Sequence, residues 1–259
     1  MLGRLKMDLS PLVFRVLQRH LTVYARNWRV SVSLNFIEPL LFITALGIGL
    51  GAYVQPMEGL PYLNYLAPGI IASSAMYATC YECTYGTFIR LEYQKTFQAM
   101  VATPLSMDDV ILGEMLWGTF KSMLYATIIL LVITVLGLVA SPWALLIPLV
   151  AAAAGMQFAV LSMLWIGLVP NIDSFNHFFT LFLTPLFLFS GVFFPLSGLH
   201  PVAQSLAWLS PLYHVVTLTR SLVLGDVGPA LLIHFLWLVT LTALLLPFTM
   251  YLMRRLVIK

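Results

Sequence analysis

Between Lys121 and Asp173 the chain runs for 51 residues without a single Asp, Glu, Lys, Arg or His. That length is enough for two helices of about 20 residues, each able to cross the hydrocarbon core of a bilayer. The segment from Gly137 to Pro142 lies inside the stretch and joins poor helix formers to a proline, which predicts a fold-back between two helices. The uncharged stretch therefore predicts an integral membrane protein.

The whole chain has the composition of a helical membrane domain, because 61% of its residues are apolar and only 9% are charged. Uninterrupted apolar length predicts an all-α integral membrane fold with six transmembrane helices, near residues 31–54, 64–88, 109–137, 143–169, 178–196 and 230–252. Ahead of them, apolar and basic residues alternate at helical spacing. We therefore expect two parts, an amphipathic interfacial helix in 1–30 and a six-span domain in 31–259.

The basic residues predict the orientation. Eleven of the thirteen lie in residues 1–30, in the connection after the second span or in the tail after the sixth. Six spans place these three regions on one side, which the positive-inside rule makes cytoplasmic. We therefore expect a multi-pass protein of a bacterial inner membrane with both termini in the cytoplasm.

The segment between Asp173 and Arg220 departs from a simple span. Its 46 residues lack Asp, Glu, Lys and Arg and contain four prolines, which one helix cannot accommodate. Irregular backbone at membrane depth needs protein or a water-filled cavity to satisfy its polar groups. We therefore expect a re-entrant or outer helical segment between spans five and six. Its candidate gate residues are Pro195, Pro211, Tyr213 and Arg220.

Several kinds of chemistry lack their motifs in this sequence. No lysine follows a glycine, so there is no phosphate-binding Gly-Lys-Ser/Thr, and neither a His-Glu-x-x-His pair nor a nucleophile elbow occurs. Asp173 and His177 are the only pair at metal-ligand spacing, and a hydrogen-bonded pair is the simpler interpretation. Cys80 and Cys83 form a C-x-x-C within the second predicted span, which leaves a membrane thiol oxidoreductase as a distant alternative.

Carboxylates inside predicted spans are informative, because each costs at least about 2.5 kcal/mol at a helix centre unless it is paired or solvated. Glu38 and Glu82 are in this position, and Glu82 lies among three tyrosines that recur every four residues. Such a polar and aromatic stripe suits an amphiphile or a sugar, whereas an interhelical hydrogen bond is the equal alternative. The candidate substrate path comprises Glu38, Tyr77, Tyr81, Glu82, Tyr85, Phe182 and Phe189.

The connection after the second span reads RLEYQKTFQAMVATPLS over residues 90–106. Its spacing predicts a helix over 91–101 with one apolar face, formed by Tyr93, Phe97, Met100 and Val101. Thr103 and Pro104 end this helix, and Ser106 with Asp109 has the spacing of a capping box that opens the third span.

These residues resemble the permeases of ABC type-2 exporters, whose equivalent loop has a basic residue, a Glu, a Thr and a final T-P-L-S. Arg90, Glu92, Thr96 and the segment Thr103-Pro104-Leu105-Ser106 match that pattern. Residues 190–220 are similar to a second family pattern, S-G-x-x-F-P followed by P-L-x-x and a later Arg. Within the family, the likeness is greatest to the nodulation lipo-oligosaccharide export permeases. Lys95 replaces the usual glycine before the loop threonine, a change that a helix tolerates.

The resemblance implies two copies of this chain assembled with two cytosolic ABC ATPase subunits. ATP and Mg would be bound by that partner, with no cofactor in this chain. The implied substrate is an amphiphile such as a lipo-oligosaccharide, a lipid-linked glycan or a drug-like compound, and nucleic acid is not an expected partner. The implied ATPase coupling loop comprises Arg90, Glu92, Tyr93, Thr96, Phe97, Met100, Thr103 and Pro104. We expect the apolar side chains of its helix, including Phe97, to be exposed and to contact the ATPase. A self-contained secondary transporter or channel is the alternative function.

Overall fold

A computed structural model describes residues 10–169 and 171–257, with the backbone alone for residues 27–36 and 38. Within these residues the chain is helical, and the single β bridge joins Met57 to Leu60 in a tight turn. The helices, numbered along the chain, are α1 (Val13–Phe42), α2 (Tyr62–Tyr81), α3 (Thr96–Val101), α4 (Met107–Val135), α5 (Ile147–Leu168), α6 (Phe175–His177), α7 (Thr184–Phe189), α8 (Pro201–Trp208), α9 (Pro211–Leu224) and α10 (Ala230–Val257). The all-helical class is therefore confirmed.

Pi-helical and 3₁₀ segments extend several of these helices. Pi-helical turns continue α1 over Ile43–Gly49 and continue α2 over Glu82–Gly86 and Ile89–Tyr93. A further pi-helical segment, Phe178–Leu183, joins α6 to α7. A 3₁₀ turn, Pro142–Leu146, leads into α5. The fifth span is therefore one chain of short helices instead of a regular α-helix.

Four helical segments among the described residues are long and apolar enough to cross a membrane: Met107–Val135, Pro142–Leu168, Ile172–Phe189 and Ala230–Val257. They correspond to the expected spans three to six. Over the expected first span the apolar helix Pro39–Ala52 is shorter, and α2 carries polar groups such as Asn64, Ser73 and Thr79 in its 20 residues. The six-span count stays a prediction.

The expected fold-back after α4 is confirmed. The helix ends at Val135, Gly137 adopts a left-handed φ of 72°, and Ser141 caps the turn that Pro142 opens. Glycine reaches a positive φ at low cost, which makes the sharp reversal possible. The reversal places α5 along α4, the most extensive helix pair in the bundle.

The start of the chain differs from expectation in one respect. Helix α1 passes residue 30 without a break, so no change of secondary structure marks the expected boundary between the interfacial helix and the first span. Its predicted apolar face packs on α4 in part. Val13 and Val16 are buried, and Gly113 lies directly beneath Val16. Arg15 and Arg26 are exposed, as an amphipathic helix requires.

Gly155 of α5 allows the closest approach to α4. A methyl group at Gly155 would lie 2.7 Å from Cβ of Ser122 and 2.9 Å from Cα of Thr119. Small residues permit such packing between membrane helices, which have no hydrophobic drive to associate. We expect Gly155→Ala to lower the free energy of unfolding by about 1–3 kcal/mol, since backbone must move to admit the methyl group.

The measurement is the melting temperature of the purified protein in detergent. Gly228→Ala is the matched control, because a methyl group there would have no atom within 4 Å. An equal melting temperature for both variants would show that α4 and α5 are not held as closely as the structure indicates.

Candidate functional site

The loop between α2 and α4 is the first part of the candidate site. Lys95 has a φ of 52° and a ψ of 27°, the left-handed region that glycine adopts freely and other residues seldom do. The continuous helix expected over 91–101 is therefore wrong, because the chain turns at Lys95 and α3 begins at Thr96. Lysine stands where the resembling family has glycine, yet the backbone keeps the conformation that favours glycine.

The turn at Lys95 separates the side chains that were expected to share one exposed face. Phe97 is fully buried and Met100 nearly so, whereas the Tyr93 side chain is 65% exposed. Phe97 and Met100 join the loop-end core, a cluster of buried apolar residues that includes Phe88, Ile111 and Phe175. The interpretation of Phe97 as an exposed contact residue is therefore wrong.

The side chains that the loop exposes between residues 90 and 106 are polar and apolar in about equal number. The polar ones are Glu92, Gln94, Lys95, Gln98 and Thr103, and the others are Tyr93, Ala99, Val101, Ala102 and Pro104, while Thr96 is half-buried. Glu92 and Lys95 form a surface ion pair at 3.2 Å. The loop therefore offers a mixed surface whose largest apolar group is the Tyr93 ring.

Two adjacent carboxylates anchor both ends of the chain at the start of α4. Asp109 completes the expected capping box with Ser106, which is confirmed, and its carboxylate also accepts hydrogen bonds from the backbone N–H of Ser10 (2.8 Å) and from the Ser10 hydroxyl (2.9 Å). Asp108 forms an ion pair with Arg254 near the end of α10. Movement of the loop is thereby coupled to α1 and α10 as well as to α4.

A buried charge cluster lies directly behind the loop and consists of His20, Glu82, Arg90, Glu114 and Lys121. Nη2 of Arg90 lies 2.7 Å from a Glu82 oxygen and 2.6 Å from a Glu114 oxygen. His20 contacts Glu114 at 2.9 Å, and Lys121 forms an ion pair with Glu82. The cluster joins α1, α2 and α4, and Arg90 holds the end of α2 where the loop begins.

Glu82 therefore does not share a surface with the tyrosines, as the expected path required. Its carboxylate is buried against Arg90 and Lys121, which is the interhelical bonding that the sequence left as the alternative. The physical reason is the helical period, since successive residues point about 100° apart and Glu82 turns away from Tyr81.

The tyrosine stripe itself packs against the fifth span. The ring of Tyr81 stacks on Phe179 with centroids 4.4 Å apart, Tyr85 contacts Phe175, and Tyr77 meets Phe187 edge to face. Tyr81 remains 50% exposed. Tyr77 and Tyr81 line a shallow groove with Phe187 and residues of α1, which keeps this face of α2 accessible.

The remaining path residues are dispersed. Phe182 is half-buried and stacks on Phe178, whereas Phe189 is 53% exposed near the opposite end of the span. The Glu38 side chain lies outside the described residues. Of the expected path residues, the structure thus brings Tyr77, Tyr81 and Tyr85 together. Glu82, Phe182 and Phe189 lie apart from them.

The two cysteines and the histidines were weighed for redox and metal chemistry. Cys80 and Cys83 carry free thiols, and both are fully buried, so a reaction partner has no access to either sulfur in this conformation. Asp173 and His177 are both exposed. Within residues 10–169 and 171–257, no group of three or more His, Cys, Asp or Glu side chains is arranged to hold a metal ion.

The outer segment has the broken helices that its prolines predict. Pro195 precedes a 3₁₀ turn, Leu196–Gly198, and Pro211 is the first residue of α9. Tyr213 and Arg220 both project from α9 into one cavity at the end of α2 that is remote from the loop. Whether the segment re-enters the membrane stays a prediction.

The fold and the charge cluster define a helical membrane protein with an ordered loop at one end of its bundle. The chain belongs to the ABC-2 type transporter family, whose profile matches residues 11–224.

Individual relatives agree with this membership. The chain is 36% identical over 221 residues to "Nodulation protein J" of Sinorhizobium fredii, which covers 83% of this chain and 84% of the relative. It is 38% identical over 215 residues to "Nodulation protein J" of Rhizobium leguminosarum bv. viciae, covering 80% and 82%. A more distant relative, "Inner membrane transport permease YadH" of Escherichia coli, is 22% identical over 206 residues, covering 78% of each chain. The resemblance to ABC type-2 exporter permeases is therefore confirmed.

Sequence reasoning missed most of the charge cluster. Glu114 and Lys121 lie within the predicted third span, where every charge is costly, and they are seven residues apart. Seven residues make about two helical turns, so both side chains fall on one face of α4. This spacing was the available signal. His20 and Arg254 had no comparable signal, because each meets its partner only through the packing of α1 or α10 on α4.

Proposed function

We propose that this chain is the membrane-spanning permease subunit of an ATP-driven exporter that moves an amphiphilic substrate out of the cytoplasm or the inner leaflet. Two copies assemble with two cytosolic ATPase subunits, which bind ATP and Mg. The protein resides in a bacterial inner membrane. Membership of the ABC-2 type transporter family supports the class. The resemblance to the nodulation lipo-oligosaccharide export permeases supports an amphiphilic saccharide among the candidate substrates.

The observation that carries the proposal is the rigid loop between α2 and α4. Its helix α3 is fixed by Phe97 and Met100 in the loop-end core, and Arg90 fixes its beginning in the charge cluster. A loop held in this way transmits a push from a partner to α1, α2 and α4 without first deforming. A secondary transporter works without an ATPase partner and does not need a rigid loop of this kind.

A surface cavity beside the loop, which we call the hollow, supports the proposal that a protein partner binds there. It has a volume of about 500 Å³ and lies between the loop and the end of α10, with Glu92, Lys95 and Gln98 on one side and Leu256 on another. Mixed charged, amide and aliphatic groups are typical of contacts that form and separate in water. We therefore place the ATPase contact at this hollow and at Tyr93.

The test is association with the ATPase. We expect the purified chain to hydrolyse no ATP until a separate nucleotide-binding subunit is added. Tyr93→Asp places a charge on the exposed aromatic ring, so it should reduce the co-purified ATPase about tenfold while the yield of folded permease is unchanged.

Thr22→Asp is the matched control, because Thr22 is exposed on α1 and is not part of the loop. Full retention of the ATPase by Tyr93→Asp would show that the loop is a solvated connector. Transport by the chain alone, driven by a proton or sodium gradient in liposomes, would favour the secondary transporter.

The orientation of the protein across the membrane has a separate test. Gly198 and Gln94 are both exposed and lie at opposite ends of the bundle. In intact cells, we expect Gly198→Cys to react with an impermeant maleimide and Gln94→Cys to remain unlabelled, because the basic residues place the loop in the cytoplasm. The native cysteines are buried and stay in place. Labelling of Gln94→Cys with protection of Gly198→Cys would overturn the orientation.

A further inference from the structure

A cavity of about 550 Å³ opens at the end of α2 that is remote from the loop. We name it the Arg220 chamber. Its walls come from the turn before α2, the end of α7, the 3₁₀ turn that follows, and α9. The lining side chains that matter here are Glu58, Tyr65, Tyr213, Arg220, Ser221 and Asp226. This volume falls within the range of about 300–1,000 Å³ that is usual for small-molecule sites.

Arg220 is built into the chamber by three contacts. Its Nη2 donates hydrogen bonds to the carbonyl oxygens of Gly191 (2.7 Å) and Tyr65 (3.2 Å), and its guanidinium carbon lies 3.8 Å from the centre of the Tyr65 ring. The Tyr65 hydroxyl donates to the same Gly191 carbonyl at 3.1 Å. The guanidinium is therefore held in a fixed orientation before any ligand arrives.

These contacts leave part of the guanidinium unsatisfied. Nε of Arg220 is buried and has no hydrogen-bond partner, and none of the carboxylates in the described part of the chain forms an ion pair with Arg220. A buried donor without an acceptor is unfavourable, and more so on a charged group. A rigid cation in the wall of a cavity, whose charge no carboxylate of the described residues neutralises by an ion pair, is a feature of a binding site.

The lining indicates the chemical class of the ligand. One guanidinium faces two carboxylates, Glu58 and Asp226, so the formal charge of the lining is negative and a phosphate or sulfate is disfavoured. The chamber combines donors with acceptors, and the Tyr213 ring adds an apolar face. Hydroxyl groups both donate and accept, and therefore match such a lining. A neutral, hydroxyl-rich saccharide satisfies these conditions.

An apolar groove of about 360 Å³ adjoins the chamber. It lies between α7 and α8 and is lined by Pro185, Phe189, Leu199 and Leu206 among others. Ser190 lines both spaces, so the two spaces share a wall at this residue, whose hydroxyl is hydrogen-bonded to that of Ser210 at 2.6 Å. One molecule with a polar head and an aliphatic tail can occupy both.

The geometry points to an amphiphile-binding site remote from the ATPase loop, with a saccharide head in the Arg220 chamber and its aliphatic chain in the groove between α7 and α8. This inference rests on the proposed export of an amphiphile and gives the head and the chain of that molecule separate places in the structure. Arg220 donates to the sugar oxygens, while Glu58 and Asp226 accept from its hydroxyl groups.

The experiment is ligand protection of a cysteine in the chamber wall. Ser197→Cys introduces an exposed thiol there, while Cys80 and Cys83 are fully buried and remain. The variant is placed in phosphatidylcholine nanodiscs and treated with a polar maleimide, with octyl maltoside as the probe below the concentration that dissolves the disc. We expect the probe to slow labelling about fivefold or more, as for a site that is largely occupied.

Two further probes and reporters define the specificity. Octyl phosphocholine has the same chain with a different head, and we expect no protection from it. Ser205→Cys lies exposed on α8 outside both cavities, so its labelling should be unaffected by either probe. Equal protection by octyl phosphocholine would overturn the saccharide assignment, and an absence of protection by octyl maltoside would overturn the site.

Variants in the Ser197→Cys background test the chamber itself. Ser221→Phe fills the cavity and should abolish protection, whereas Ser205→Phe, the matched control, should keep it. Asp226→Asn lies at an exposed position that does not threaten the fold, and it should weaken the probe about tenfold by removing one charged acceptor. Protection that survives both Ser221→Phe and Asp226→Asn would place the ligand elsewhere.

The assay uses neither ATP nor an ATPase, so its outcome is independent of the proposed energy source. Failure of the ATPase to associate leaves the binding result intact, and loss of binding leaves the association test intact.

Discussion

Arg90→Met is expected to lower the free energy of unfolding by about 3–5 kcal/mol, the cost of removing one partner from a buried ion pair. Arg90 lies between Glu82 and Glu114, whose side chains are only 8% and 0% exposed. Methionine keeps the volume but leaves two carboxylates without their shared cation. The yield of monodisperse protein and the melting temperature in detergent measure the effect.

Two comparisons isolate the cause of that loss. Glu92→Gln removes a surface ion pair whose members are both more than half exposed, so we expect a change within about 1 kcal/mol. Adding Glu114→Gln to Arg90→Met should recover part of the lost stability, because it neutralises one of the two carboxylates that lost Arg90. A melting temperature for Arg90→Met equal to that of Glu92→Gln would show that the cluster is solvated.

Phe97→Asp is expected to prevent folding of the loop end instead of merely releasing a partner. Burial of the Phe97 ring is complete, and truncation of such a side chain alone costs about 3–5 kcal/mol. Aspartate adds an unpaired charge to an apolar core, which raises the cost further. The expected result is a large loss of folded protein, measured by size-exclusion chromatography after extraction from the membrane.

Gln98→Asp is the control for this change, since Gln98 is the next residue of α3 and its side chain is exposed. It should leave the yield near that of the unaltered protein. If Phe97→Asp kept full yield and lost only the ATPase, the burial of Phe97 against the loop-end core would be wrong.

The two residues show how the loop operates in the proposed exporter. Arg90 and Phe97 hold it from inside the bundle, while Tyr93 and the hollow beside Lys95 face outward. The residues that fix the loop and those available to a partner are therefore different, although the sequence presents them within eight positions. Substitutions in the two groups should separate loss of folding from loss of coupling.

The secondary-transporter alternative also changes in the light of the charge cluster. Glu82→Gln would separate a proton-coupled carrier from an ATP-driven exporter if the Glu82 carboxylate had no ion-pair partner. Since Glu82 is paired with both Arg90 and Lys121, its neutralisation also disturbs their charge balance. Liposome transport by the unaltered chain is therefore the cleaner comparison.

The sequence by itself determined the class, most of the long helices and the break between α4 and α5. The 51-residue uncharged stretch predicted two helices and a fold-back, and Gly137 with Pro142 forms that reversal. Ser106 and Asp109 predicted the start of α4, and the loop motif predicted the family. These features depend on local spacing, apolar length and short motifs, which are legible along the chain.

Tertiary structure alone decided which side chains meet. The sequence left Glu82 open between the tyrosine stripe and an interhelical hydrogen bond, and it predicted an exposed Phe97. Packing of α2 and α3 on α4 buried both residues in the bundle. The positive φ at Lys95 redirected α3 inward, and a lysine at that position gave no warning of it. The relative rotation of packed helices decides which distant residues come into contact. Arg90 with Glu114 and Ser10 with Asp109 are such pairs, each more than 20 residues apart in sequence. That rotation is set by the fit of all the packed faces together, so no single segment of sequence contains it.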